Sequence, residues 1–159
     1  MEFNAVDKYR GMLRSYDRLK KIETNNGNTI GNTESRDAVE DFFNQCYHFK
    51  YWLIKDTSMN IEKENLENFI TQSSALSLAA DYCNSFKHAG LDGEPRSGKD
   101  IQKINTHINF DLTPKGFVAS SHLEITISDQ KYDSFKLAED CIKDWNLFLE
   151  KNQVIFPKS

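Results

Sequence analysis

One segment groups side chains that could do acid–base chemistry: Ala79-Ala80-Asp81-Tyr82-Cys83-Asn84-Ser85-Phe86-Lys87-His88. At helical spacing Ser77, Asp81, Asn84 and His88 fall within one narrow stripe, while Leu76, Ala80, Cys83 and Phe86 point roughly the other way. An imidazole one turn beyond an amide can act as general base or acid near neutral pH. On this reading His88 is the base, Asn84 orients it and Lys87 stabilises an anion. Asp81 is a binding residue on the same stripe. The competing reading is a solvated helix end, with His88 placed favourably at the negative end of the dipole.

A second cluster is Cys46-Tyr47-His48-Phe49-Lys50-Tyr51-Trp52. Phe42, Phe49 and Leu53 repeat at core spacing, and Tyr47, His48, Tyr51 and Trp52 cannot all share that face. They are the candidate binding surface, for a partner protein or by base stacking for RNA. Two further patterns read as structure. Gly93-Glu-Pro-Arg-Ser-Gly98-Lys99-Asp100 satisfies the phosphate-loop spacing, but Asp100 stands where a magnesium-binding hydroxyl belongs. That motif also needs a strand before it and a helix after it, whereas here a helix precedes and a strand follows. His107 and His122 face each other in the expected hairpin register; two imidazoles fall short of a structural zinc site, so a solvated strand face is expected and no metal.

The elements that must position these residues follow from periodicity. A helix over about Ala5–Glu23 carries Val6, Tyr9, Met12, Leu13, Tyr16 and Leu19. A second, capped at Asn32 or Thr33, reaches about Ile54 with the core stripe Val39, Phe42, Cys46, Phe49 and Leu53. A short third helix over Ile61–Phe69 precedes a fourth, capped by Thr71 and ending at His88. Residues from about 90 to 102 form a Gly- and Pro-containing linker, flexible by composition. Alternation over Ile104–Leu112 and Phe117–Ile127 about Thr113-Pro114-Lys115-Gly116 predicts a hairpin pairing Phe110 with Ala119, Ile108 with Ser121 and Ile104 with Ile125. A last helix over about 132–151 buries Phe135, Ala138, Ile142, Trp145 and Leu149, and the tail beyond Asn152 is loose. The fold class is mainly α: a single-domain bundle of four to five helices (about 5–88) with one β-hairpin (about 104–127) inserted before the C-terminal helix.

Composition narrows the function classes. The 159 residues carry a formal net charge of −4, with Lys and Arg scattered, so no global footprint for nucleic acid exists. Cys46, Cys83 and Cys141 lack Cys-x-x-Cys spacing and sit among large apolar residues, which reads as buried thiols in a reducing cytosol. Neither a secretory signal nor a membrane span is expected, and localisation is cytoplasmic. No cofactor, nucleotide or other, is implied.

Cys83-Asn84-Ser85-Phe86-Lys87-His88 resembles the Arg-Asn-x-x-x-His element of HEPN domains, helical bundles of bacterial defence and toxin–antitoxin systems. The match places Asn84 and His88 on the family's polar residue and catalytic histidine, and Cys83 on its arginine. The resemblance implies a helical module that dimerises along this helix. It implies either metal-independent RNA cleavage or non-catalytic binding of nucleotides or partner proteins. A cysteine cannot give the bidentate, permanently charged contact an arginine gives a phosphorane, and only Lys87 or Lys50 could replace it as a point charge. The expectation is therefore a non-catalytic HEPN-like module of a bacterial or phage defence system, a homodimer or bound to a partner protein. The alternative is a metal-independent endoribonuclease using His88.

Overall fold

The computed structural model describes residues 4–24, 32–87, 94–99, 101–114, 116–127 and 129–156; for 23–24, 32–35, 86–87, 101–113 and 116–123 it describes the backbone only. Among the described residues five α-helices are present: α1 (Ala5–Thr24), α2 (Asn32–Lys55), α3 (Lys63–Gln72), α4 (Ser74–Lys87) and α5 (Ser134–Lys151). Strands β1 (Ile101–Thr113), β2 (Gly116–Ile127) and β3 (Gln130–Asp133) form an antiparallel sheet ordered β1-β2-β3. The architecture is mainly helical with a hairpin before the last helix, as the periodicity predicts.

The core is built on α2. Val39, Phe42, Cys46, Phe49 and Leu53 are all fully buried, each one helical turn from the next. Aromatic contacts tie the other helices to it and to each other. Phe43 meets Tyr82 of α4 at 4.8 Å between ring centres, and Phe49 meets Trp145 of α5 edge-on at 5.0 Å. Tyr16 of α1 stacks on Phe135 of α5 at 5.2 Å, and Phe69 of α3 lies 5.0 Å from Phe148. Trp145 donates its indole N–H to Cys46 Sγ at 3.3 Å, so its buried polar atom has a partner. All three cysteines are buried thiols without disulfides, as their neighbours predict.

The hairpin register is the expected one: Phe110↔Ala119, Ile108↔Ser121, His107↔His122 and Ile104↔Ile125. Its base is anchored in the core, where Ile125 and Ile127 are buried. A two-stranded ribbon is marginal alone, and these isoleucines are what ties it to the bundle.

Five local expectations need correction. The sheet gains β3, whose Tyr132 pairs with Ile125, so α5 begins at Ser134 rather than 132. Asp133 is its cap, accepting the Lys136 N–H at 2.6 Å. The fourth helix is capped by Ser73, which accepts the Leu76 N–H at 2.9 Å. Thr71 instead lies inside α3 and donates to the Glu67 carbonyl at 2.9 Å. α5 also turns its buried stripe: Leu137, Cys141 and Phe148 join Ala138, Trp145 and Leu149, whereas Phe135 and Ile142 are half-buried.

Over residues 153–156 the tail is not loose. The Val154 N–H bonds the Leu149 carbonyl at 2.9 Å, the Gln153 N–H bonds that of Glu150 at 3.0 Å, and Gln153 takes φ 57°. That is a Schellman motif with glutamine at the left-handed position. It turns the chain so that Phe156 lies 5.1 Å from Tyr9 and 6.3 Å from Phe49.

Candidate functional site

Over Ala75–Cys83, α4 does not present its polar stripe to solvent. Every residue from Ala75 to Cys83 is buried, Ser77 and Asp81 included. A charge at 1% exposure must be matched by hydrogen bonds or leave the fold unstable. Asp81 is matched by backbone: Oδ1 accepts the Arg96 N–H and Oδ2 the Ser97 N–H, each at 2.7 Å. The Gly98 N–H closes a turn on the Pro95 carbonyl at 3.0 Å, with Gly98 at φ 70°, a conformation glycine adopts without penalty. The segment read from composition as flexible linker is therefore, over 94–99, a loop clamped by a carboxylate. Gly and Pro content predicts flexibility, but a long-range acceptor overrides composition.

The clamp aims Arg96 at a second charged group. Its Nη2 lies 2.8 Å from Glu67 Oε2 on α3, and Glu67 Oε1 accepts from Lys50 Nζ of α2 at 3.0 Å. Lys50 is 3% exposed, yet its ammonium also stands 4.5 Å from the Tyr47 ring centre and 5.0 Å from that of Tyr51. Those faces add cation–π attraction to the ion pair. Burial alone would raise the Glu67 carboxyl, but hydrogen bonds and charge from Lys50 and Arg96 outweigh it and hold the carboxyl below its ordinary value. Two cations thus share one carboxylate. Arg96 Nη1 is buried and has no hydrogen-bond partner among the described residues.

The aromatic residues of α2 divide into two groups. Tyr47, His48 and Tyr51 pack against each other on the Lys50 side, with ring centres 5.7 to 6.1 Å apart. Tyr51 is 46% exposed, and burial of its hydroxyl environment raises its pKa, assisted by a hydrogen bond with Tyr47. Trp52 goes elsewhere. It lines a cleft of about 300 Å³ against α1 with Gln45, Lys8, Gly11 and Arg14, on a stripe that also ion-pairs Asp41 with Arg18. The four binding candidates on α2 are therefore one cluster of three and one inter-helix contact, and the fifth, Asp81, is turned inward onto the 94–99 loop.

Of the expected catalytic set, Asn84 is half-buried on α4 and Lys87 ends that helix, with only its backbone described. His88 lies outside the described residues, and so do the side chains of His107 and His122. Cys83 points inward and donates to Asn44 Oδ1 at 2.9 Å, which is a packing role. Glu67 and Arg96 were missed by the sequence reading. The one available signal was that Arg96 sits inside a turn sequence, Pro95-Arg96-Ser97-Gly98, where a side chain is held by its own backbone geometry.

Among the described residues no group of three or more His, Cys, Asp or Glu is placed to hold a metal ion, and no helix is long and apolar enough to cross a membrane. No protein-family model, curated protein or solved structure matches this chain. The HEPN resemblance accordingly rests on Cys83–His88 and the helical architecture.

Proposed function

We propose that this chain is a non-catalytic, HEPN-like helical module of a defence system that binds a partner protein through the Tyr47–His48–Tyr51 face of α2. The observation that carries this reading is the charged cluster beneath that face. Lys50 is buried under two tyrosines, Arg96 is clamped beside it, and one guanidinium nitrogen has no partner among the described residues. Tyr and Arg on a fixed base are the residue types that dominate binding at interface centres. A partner segment that places an apolar group on Tyr51 and a carboxylate against the exposed part of the Arg96 side chain, 27% of it, fits this chemistry.

Two uses of α4 residues weigh against catalysis there. Asp81 is committed to the 94–99 loop and Cys83 to Asn44, which leaves Asn84, Lys87 and His88 as the catalytic candidates. Photo-crosslinking from a benzophenone amino acid at position 51, in cells of the source organism, tests the proposal. A discrete adduct that disappears on Arg96→Ala is expected. Its absence, or an adduct indifferent to Arg96, rejects the reading. Metal-independent RNA cleavage that is lost on His88→Ala would establish the ribonuclease alternative instead.

A further inference from the structure

We infer that the open edge of β1 pairs with β1 of a second copy of this chain, antiparallel and centred on His107. This stands independently of the α2 face.

Among the described residues β1 bonds only to β2, so its other edge carries a row of main-chain groups without strand partners. A strand this long and open is a template for another strand. β2 is partly covered, since β3 pairs with Glu124–Ile127. The uncovered part of β2, residues 116–123, contains no Asp, Glu, Lys or Arg that could set a register. β1 contains two, Lys103 and Asp111.

The register follows from three conditions. Antiparallel self-pairing about a two-fold axis keeps apolar positions opposite apolar ones only when paired residues are both odd or both even. In β1 the even positions 104, 108, 110 and 112 are apolar, with Gln102 and Thr106 in the same row, and the odd positions 105, 107, 109 and 111 are polar. The main-chain condition agrees. Thr113 and Gly116 flank a two-residue connection, so they exchange hydrogen bonds across the ribbon. Alternation from Thr113 turns the odd residues of β1 toward β2 and leaves the even residues to bond outward. Charge then selects among the even-sum registers. Centring on His107 sets Lys103 opposite the second copy's Asp111, twice by symmetry. Shifting the centre to Lys103 or to Asp111 sets like charge against like charge, and the remaining registers leave both unpaired.

In this register Ile104 faces the second copy's Phe110 and Asn105 its Asn109, and His107 meets itself at a non-hydrogen-bonded pair. The result is a continuous sheet ordered β3-β2-β1-β1-β2-β3. Both copies use the same surface, so assembly closes at two.

The test uses the full chain and light scattering after gel filtration, at micromolar to millimolar concentrations. The wild type is expected to dimerise. Lys103→Asp and Asp111→Lys should each weaken association at least about tenfold, because two attractive pairs become two repulsive ones. The double variant Lys103→Asp/Asp111→Lys should restore it. As a second measurement, His107→Cys should give a disulfide-linked dimer on mild oxidation, since a non-hydrogen-bonded pair brings Cα atoms within disulfide range. Asn109→Cys should not, because its partner is Asn105. A chain that stays monomeric and uncrosslinked, or a dimer indifferent to both reversals, overturns the inference.

Discussion

Replacing Asp81 tests whether its carboxylate holds the 94–99 loop or is simply a tolerated buried charge. The two views predict opposite signs. If the charge had no partners, Asp81→Asn would relieve a desolvation cost and leave stability unchanged or higher. The structure gives it two N–H donors at 2.7 Å. Hydrogen bonds to a charged acceptor contribute about 1.5–3 kcal/mol each. Arg96 and Ser97 are only half-buried, so water recovers part of the loss, and Asp81→Ala is expected to cost about 2–4 kcal/mol. An asparagine keeps one acceptor and turns an NH₂ toward the other N–H, so Asp81→Asn should cost about as much. Urea unfolding followed by helical circular dichroism gives the number, and trypsin gives the location. Arg96 sits within the clamped turn, so the wild type should resist cleavage there and both variants should be cut rapidly. An Asp81→Asn protein as stable as wild type, with Arg96 still resistant, would refute the clamp.

Other expectations can be checked in the same apparatus. Gln153 holds φ 57° at the end of α5, so Gln153→Gly should stabilise by about 0.5–1 kcal/mol, whereas a glycine one residue earlier should not. Lys50→Met removes the deeper of the two cations on Glu67 but leaves Arg96, so a loss of about 1–3 kcal/mol is expected, larger in an Arg96→Ala background, where no cation remains on the carboxylate. Acid should weaken the fold through Glu67 and Asp56. Both carboxyls are held below their ordinary values of 4.5 and 3.8 in the folded chain, Glu67 by Lys50 and Arg96 against the effect of burial, Asp56 chiefly by the Ser58 hydroxyl. Their contribution is complete above those values and is lost as pH falls through the folded ones. The urea midpoint should therefore drop from pH 6 to pH 3, and less steeply in Glu67→Gln.

What the sequence made legible was whatever repeats along the chain. Val39, Phe42, Cys46, Phe49 and Leu53 could be assigned to the core because a helix returns the same face every turn, and the hairpin register followed from alternation on both sides of Thr113–Gly116. Illegible features depended on a partner distant in sequence. Asp81 and Asn84 looked equivalent on a helical wheel, but only contact with a loop fifteen residues later separates a clamp from a surface group. Trp52 and Tyr51 are adjacent, and the packing of α1 decides which is enclosed. The third strand escaped notice because Gln130–Asp133 is four residues long and carries no alternation of its own. Ile125 and Tyr132 become partners only once the chain reverses at Asp129, a non-glycine residue at φ 62°.

The phosphate-loop spacing in Gly93–Lys99 has a physical explanation that neither coincidence nor nucleotide binding supplies. Closely spaced glycines let successive backbone N–H groups converge on one anion. Here two successive N–H groups do converge, on the carboxylate of Asp81. The sequence pattern thus reports a real anion cradle, but one filled by the protein itself. An internal anion is covalently tethered and always present, so an external phosphate would have to displace a buried carboxylate that then has no partner. The loop is consequently a fixed element, and what it fixes is Arg96 against Glu67 and Lys50. On the proposed partner-binding reading, the contact is made by Tyr51 and the exposed part of Arg96, and a change at Asp81 should weaken it without touching a single residue of the proposed face.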